Sequence, residues 1–406
     1  MSRVASLRNL EPTEEVRVRV IDRATMVDQI RRRVHADVPP AALRGEGEFL
    51  KAFGLLPGSF DYEDGVFRLI QSELAGYYDP EEKRMFVMDD LPAEAFEATL
   101  FHELVHALQD QRHPLGSHLK YERNASDRQA AIQSLAEGDA TSAMIDWTLE
   151  REGRTALDLT DAVLHSQLLA NSAASTELSR FPRVLRASLV APYVDGLALV
   201  QQLRRRGGWA AVDSVWLNPP VTSEQVLHLD KLDSHEPAEA VPVPSIQALG
   251  LGWRVIHSDV YGEQAFRVAL EEWMSAGAAA EAAAGWAGDH TVVAVRDSDS
   301  ESAAAWHLRF DPSPAPSEPG AEAAAARDAV LSAWFPDRSN GSACKMLPSG
   351  RSMALSRKGR DFAIVACPPP RSSANPPGLQ GCSLAQRWAD IVAADHGMLT
   401  LPPHDK

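Results

Sequence analysis

Four apolar residues at helical spacing, Phe96, Leu100, Leu104 and Leu108, mark Ala93 to about Gln111 as a helix. Residues four apart share a face, so these side chains form one stripe that has to be buried. Pro114 stops the segment. The same helix carries FHELVH, Phe101–His106, with its histidines turned away from the stripe. His102 and His106 sit one turn apart on a second face. Two partly buried imidazoles need partners, so any fold that keeps this helix must bring those partners to it.

A metal ion suits the spacing. Both imidazoles can direct a ring nitrogen at one ion about 2.0–2.1 Å away. Glu103 projects at the adjoining angle, near such an ion without binding it. There a carboxylate can take a proton from water and pass it to a leaving amine. The H-E-x-x-H spelling alone arises by chance in about 5% of chains of this length. Its position mid-helix, opposite an apolar stripe, favours it over a helix with ordinary histidines. A catalytic zinc also needs a third protein ligand and an open position. Extension to H-E-x-x-H-x-x-G-x-x-H fails: Gln109 stands at the glycine, Arg112 at the third histidine, and His113 comes one residue late. The other arrangement takes a glutamate from a following helix. Glu137, in AEGDA (Ala136–Ala140), comes 31 residues after His106. It lies on a helix opened by Ser126 and Gln129 as a capping box, and two helices joined by a loop can pack antiparallel. Asp139 is the competing carboxylate.

Ahead of these helices, Glu14–Asp22 alternates with period two and reads as a strand, followed by a helix over Ala24–Val34. Leu74–Asp90 reads as a hairpin turning at Asp79–Glu82. Further helices are expected over Leu159–Asn171, Arg183–Arg206 and Thr222–Leu229, with Gly207–Gly208 as a C-cap. Ser234–Ser245 is Pro-rich and reads as a linker. Beyond it a helix (Gln264–Ala276), strands near His290–Arg296 and Ala304–Phe310, a helix near Ala321–Trp334 and strands near Arg351–Ser356 and Asp361–Ala366 suggest a separate module. Asp311–Gly320 reads as a second Pro-rich break and Cys367–Gly378 as surface loop.

The chain has 406 residues, 45% hydrophobic content and a formal charge of −16. That charge is a poor footprint for nucleic acid or an anionic membrane. No window has the 18 or more apolar residues of a spanning helix, and the start shows no secretory leader, although a leader absent from this sequence would leave the compartment open. Cys344, Cys367 and Cys382 allow one bridge and leave one thiol over.

HELVHALQDQ followed by EGDA resembles the gluzincin class of zinc metallopeptidases, and more closely a group of bacterial metallopeptidases sharing both motifs. GYYDPEEKRMFV (Gly76–Val87) and Tyr193–His228 are similar to that group too, so the resemblance spans roughly Leu74 to Leu229. It implies peptide hydrolysis with one zinc per chain, His102, His106 and Glu137 as ligands and Glu103 as base. The fold expected is α+β: a mainly helical zincin-like core with a small antiparallel sheet (1–233), a Pro-rich linker (234–245) and a C-terminal α+β domain of unknown role (246–406). His228 and Tyr193 are candidates to stabilise an oxyanion. Asp110 and Asp139 are candidates to orient a ligand histidine. The strand Arg84–Met88 is expected to be an edge that takes up substrate backbone. Beside a peptidase stand three other readings: a catalytically silent zinc scaffold, against which Glu103 argues; a zinc hydrolase of a non-peptide amide or ester; and a helical binding protein that takes no metal.

Overall fold

The computed structural model describes residues 1–174, 177–312, 320–335, 343–369 and 377–395. The expected breaks at Asp311–Gly320 and Cys367–Gly378 fall largely outside them. The chain is α+β and forms two compact units, each discontinuous in sequence.

The first unit comprises residues 1–39, 64–122 and 128–236. Its sheet has strands β1 (Arg17–Ile21), β2 (Gly76–Asp79) and β3 (Arg84–Met88) in the order β1-β3-β2. β2 pairs antiparallel with β3, but β1 pairs parallel, so the sheet is mixed where an antiparallel one was expected. It also puts Arg84–Met88 at the centre, paired on both sides, and leaves β1 and β2 as the edges. The hydrophobic run Met85-Phe86-Val87-Met88 explains this, because all four side chains are buried and only a central strand buries both faces.

The motif helix runs from Ala93 to Arg112. Phe101, Leu104, Val105 and Leu108 pack against Val4, Ala5, Met85 and Val87 in one core cluster. Truncating a fully buried leucine such as Leu108 costs about 2–5 kcal/mol. The second helix covers Ser126–Leu149. Ser126 is its first residue rather than its cap. The Ser126 hydroxyl donates to Asp259 Oδ2 at 2.6 Å, and Gln129 Nε2 donates to the Lys120 carbonyl, so the expected capping box does not form.

A third helix, Arg183–Leu217, leaves helical backbone at Gly207 and Gly208. Among the described residues it is the one helix long and apolar enough to cross a membrane, and 56% of its most apolar window is buried inside the fold. Arg204 on this helix forms a buried ion pair with Asp146 on the second, at 2.6 Å, and its guanidinium also lies 4.0 Å from the Trp209 ring.

The second unit comprises residues 40–63, 123–127 and 237–406. Its six strands are antiparallel: β4 (Trp253–Asp259), β5 (Trp286–Arg296), β6 (Ser302–Phe310), β7 (Cys344–Met346), β8 (Ser352–Lys358) and β9 (Asp361–Cys367), in the order β4-β5-β6-β9-β8-β7. A C-terminal helix (Pro377–Ala394) buries Trp388, Ala389 and Val392 in a cluster with Ala305, Ala354 and Val365. The helix Pro40–Ala52 belongs here because Phe49 packs on Tyr261 and Trp306, with ring centroids 4.8 and 5.3 Å apart. The expected linker is likewise docked: Val241 is buried, and the Glu239 amide donates to the Ala287 carbonyl at 2.6 Å. Cys344 and Cys382 form a disulfide, and Cys367 is a free, buried thiol.

Candidate metal centre

The geometry begins with the register of the motif helix. His102 and His106 point the same way, with ring centroids 4.7 Å apart and Nε2 atoms 3.0 Å apart. Glu137, on the second helix, brings Oε2 to 3.1 Å from His102 Nε2 and 3.4 Å from His106 Nε2. These three atoms form a compact triangle of lone pairs. Ligands bound tetrahedrally at about 2.0–2.2 Å lie roughly 3.3 Å from one another, so the triangle fits one metal ion. Two imidazole nitrogens and a carboxylate are also a donor set that borderline metals take. Among the described residues, His102, His106 and Glu137 form the one group of this kind.

Gln109 completes the support of His106. Gln109 Nε2 donates to the Ala136 carbonyl at 3.1 Å, which turns Gln109 Oε1 towards His106 Nδ1 at 2.8 Å. Nδ1 therefore carries the proton in the neutral ring, and Nε2 is left with its lone pair towards the other two ligands. Asp110 and Asp139, the residues expected to orient a ligand histidine, bond elsewhere. Asp110 accepts from Tyr78 Oη at 3.0 Å and Lys83 Nζ at 2.5 Å. Asp139 is buried against Arg8, and Trp216 Nε1 donates to it at 2.9 Å. His113 stacks on Trp216 at 5.3 Å.

Glu103 is 8% exposed. Burial pushes its carboxyl up, while the neighbouring histidines and the Tyr78 backbone N–H, which donates to it, favour the anion. Burial would lower His106, but the Glu137 charge, its hydrogen bond, Glu103 and Gln109 outweigh that and raise it to about 9. Burial would raise Glu137, yet the two histidines hold it well below the usual carboxylate range.

Tyr193 lies at the same centre. Its phenol is hydrogen-bonded to Glu137, and its ring stacks beside His102 with centroids 6.1 Å apart. The charge of Glu137 and burial hold it well above its ordinary value, so the phenol stays a donor. His228 is placed where the short helices Ser223–Leu227 and Leu229–Ser234 meet. It is not part of the His102, His106 and Glu137 group.

Tyr193 reaches Glu137 because two glycines let the helices touch. A Cβ on Gly138 would fall 2.1 Å from the carbonyl of Gly196, and one on Gly196 would fall 1.8 Å from the Ser134 oxygen. The four residues of EGDA thus act separately. Glu137 joins the donor triangle, Gly138 gives the crossing, Asp139 takes Arg8, and Ala140 fills the core.

A family model described as "Putative metallopeptidase family (DUF6782)" matches residues 50–163, a span that contains both motif-bearing segments. The match supports a metallopeptidase. A second model, "Domain of unknown function (DUF8575)", matches residues 253–375, within the second unit. No curated protein and no solved structure matches this chain.

Proposed function

We propose that this protein is a zinc-dependent peptidase of the gluzincin arrangement, with His102, His106 and Glu137 as metal ligands and Glu103 as general base. The observation that carries the reading is the donor triangle of 3.0–3.4 Å with an unliganding, buried Glu103 beside it. A purely structural zinc takes four protein ligands and has no use for a base, whereas a catalytic one takes three. The metal-binding group among the described residues has three members.

Zinc, when bound, supplies Lewis acidity that polarises a carbonyl and makes water more acidic. The chain's own groups do the rest. Glu103 accepts the proton of the attacking water and delivers it to the leaving amine as the C–N bond breaks, so it ends each cycle ionised. Tyr193 is the group we assign to the charge that develops on the carbonyl oxygen, because its phenol already lies at Glu137 and His102. Gln109 keeps the Nε2 lone pair of His106 available. Arg84–Met88 is paired on both sides, so it offers no free edge to substrate backbone.

The test pairs elemental analysis with a peptide-library digest for the parent and Glu103→Gln. About one zinc per chain in both, with cleavage abolished in the variant, supports the reading. Full activity in Glu103→Gln defeats it. Zinc without cleavage of any peptide would favour a silent scaffold or a hydrolase of another amide or ester.

A further inference from the structure

The motif helix carries a second buried acid that the chemistry above leaves unused. Asp110 has a side chain only 2% exposed, and both Lys83 and Tyr78, which bond to it, come from the β2–β3 hairpin. Lys83 sits in the turn with φ 51°, a left-handed conformation that a non-glycine residue rarely adopts. Its ion pair with Asp110 helps hold that turn. Tyr78 reaches Asp110 with its phenol and Glu103 with its backbone N–H. Glu103 and Asp110 are seven residues apart, two turns along one helix face. Tyr78 therefore bridges the base and the acid. β2 lies flush on the helix: a Cβ on Gly76 would meet the Phe86 oxygen and Thr99 Cγ2 at 2.8 Å, and Glu103 Cγ at 3.6 Å.

We infer that Asp110 and Tyr78 are positioning residues for Glu103: Asp110 anchors the Tyr78 phenol, and this fixes the Tyr78 amide that orients the Glu103 carboxylate. The inference rests on the peptidase reading for its kinetic arm only. Loss of the anchor lets the strand edge drift, and a misplacement near 1 Å at a reacting group costs on the order of a hundredfold in rate.

The experiment compares Tyr78→Phe, Asp110→Ala, Asp110→Asn and the double variant Tyr78→Phe/Asp110→Ala in the full chain. Tyr78→Phe keeps the ring packing, and Asp110→Asn keeps an acceptor for the phenol. The expected result is a fall in kcat of about ten- to a hundredfold in Tyr78→Phe and Asp110→Ala. KM stays within about twofold, about one zinc per chain is retained, and the double variant is no worse than either single one. Asp110→Asn recovers most of the loss. Hydrogen exchange of the Tyr78 amide, read independently of activity, is faster in Tyr78→Phe than in the parent. Unchanged kcat in Tyr78→Phe, additive losses, loss of zinc with Asp110→Ala, or unchanged exchange at Tyr78 would each overturn the assignment. If Glu103→Gln stays active, the peptidase reading fails, and the exchange measurement still decides whether the clamp exists.

Discussion

Replacing Gly196 by alanine probes the helix crossing that assembles the centre. Gly196 follows Tyr193 by three residues, and its added Cβ would lie 1.8 Å from the Ser134 oxygen and 2.6 Å from the Ser134 carbonyl carbon. The obstacle is backbone, which no rotamer change can move. The helices must part by more than about 1 Å before an ordinary contact is possible. Overpacking of this kind costs about 1–3 kcal/mol, and a backbone obstacle places it near the top of that range. Alanine returns at most about 1 kcal/mol of helix propensity. The net destabilisation expected is therefore about 1–2 kcal/mol, read as a lower midpoint in urea with an unchanged slope.

The same separation moves Tyr193 and Glu137 relative to each other, since both lie within one turn of the contact. A shift near 1 Å predicts a loss of about a hundredfold in kcat/KM and weaker zinc retention on dialysis. Gly277→Ala serves as the contrast. Gly277 lies in the helix Ala276–Ala283 with nothing near the position of a Cβ, so alanine there stabilises by about 0.5–1 kcal/mol. A Gly196→Ala protein as stable and active as the parent would refute the claim that this contact sets the site.

Further outcomes follow from groups already described. Metal-free protein should lose stability as pH rises. His106 is raised from 6.5 to about 9, so its contribution is complete below pH about 6.5 and vanishes as pH passes about 9, a change on the order of a few kcal/mol. Glu137, held low, contributes above pH about 4.5 and loses that contribution as pH falls. Zinc must displace the His106 proton, so its apparent affinity should climb by about tenfold per pH unit towards pH 9; a flat dependence in a calorimetric titration would contradict this. Tyr193→Phe should keep about one zinc per chain and lose about 10²–10³ in kcat, as removal of an oxyanion donor does; a kcat within twofold of the parent would move that role elsewhere. Reduction of Cys344–Cys382, whose cysteines are 38 residues apart, should destabilise the second unit by roughly 3–4 kcal/mol in denaturant titrations with and without reductant. Burial pushes the Cys367 thiol up to about 12 although Arg351 lies nearby, so native, oxidised protein should resist alkylation.

What could be read from the sequence follows how local its signal is. The motif helix, the glutamate helix and strands β5, β6 and β9 declare themselves by periodicity, which depends only on near neighbours along the chain. Helix Pro40–Ala52 and helix Pro377–Ala394 do not. Each holds two glycines, and each is stabilised by packing on a sheet whose strands are remote in sequence. Arg84–Met88 is legible as a strand but not as a central one, because the parallel partner Arg17–Ile21 is remote and its own residues are largely exposed. At the centre, the spacing of His102 and His106 and the position of Glu137 lead to three residues that meet. Gln109, by contrast, stands out in the sequence only for spoiling another motif.

The reason Gln109 displaces both aspartates is geometric. His106 and Gln109 are three residues apart on one helix face, within reach of a short side chain, and the Gln109 amide can bond to the neighbouring helix with its other end. A carboxylate at Asp110 lies a further 100° or so around the helix and faces the hairpin, where Lys83 and Tyr78 meet it. The neutral amide also leaves the ligand charge of the centre to Glu137 alone. Gln109→Glu would add a further anion beside His106, next to Glu137 and Glu103. It should raise the His106 proton affinity further and so weaken apparent zinc binding at pH 7 while leaving its slope with pH unchanged. An unchanged zinc titration at pH 7 for that variant would show that the amide acts only as a tether between the two helices.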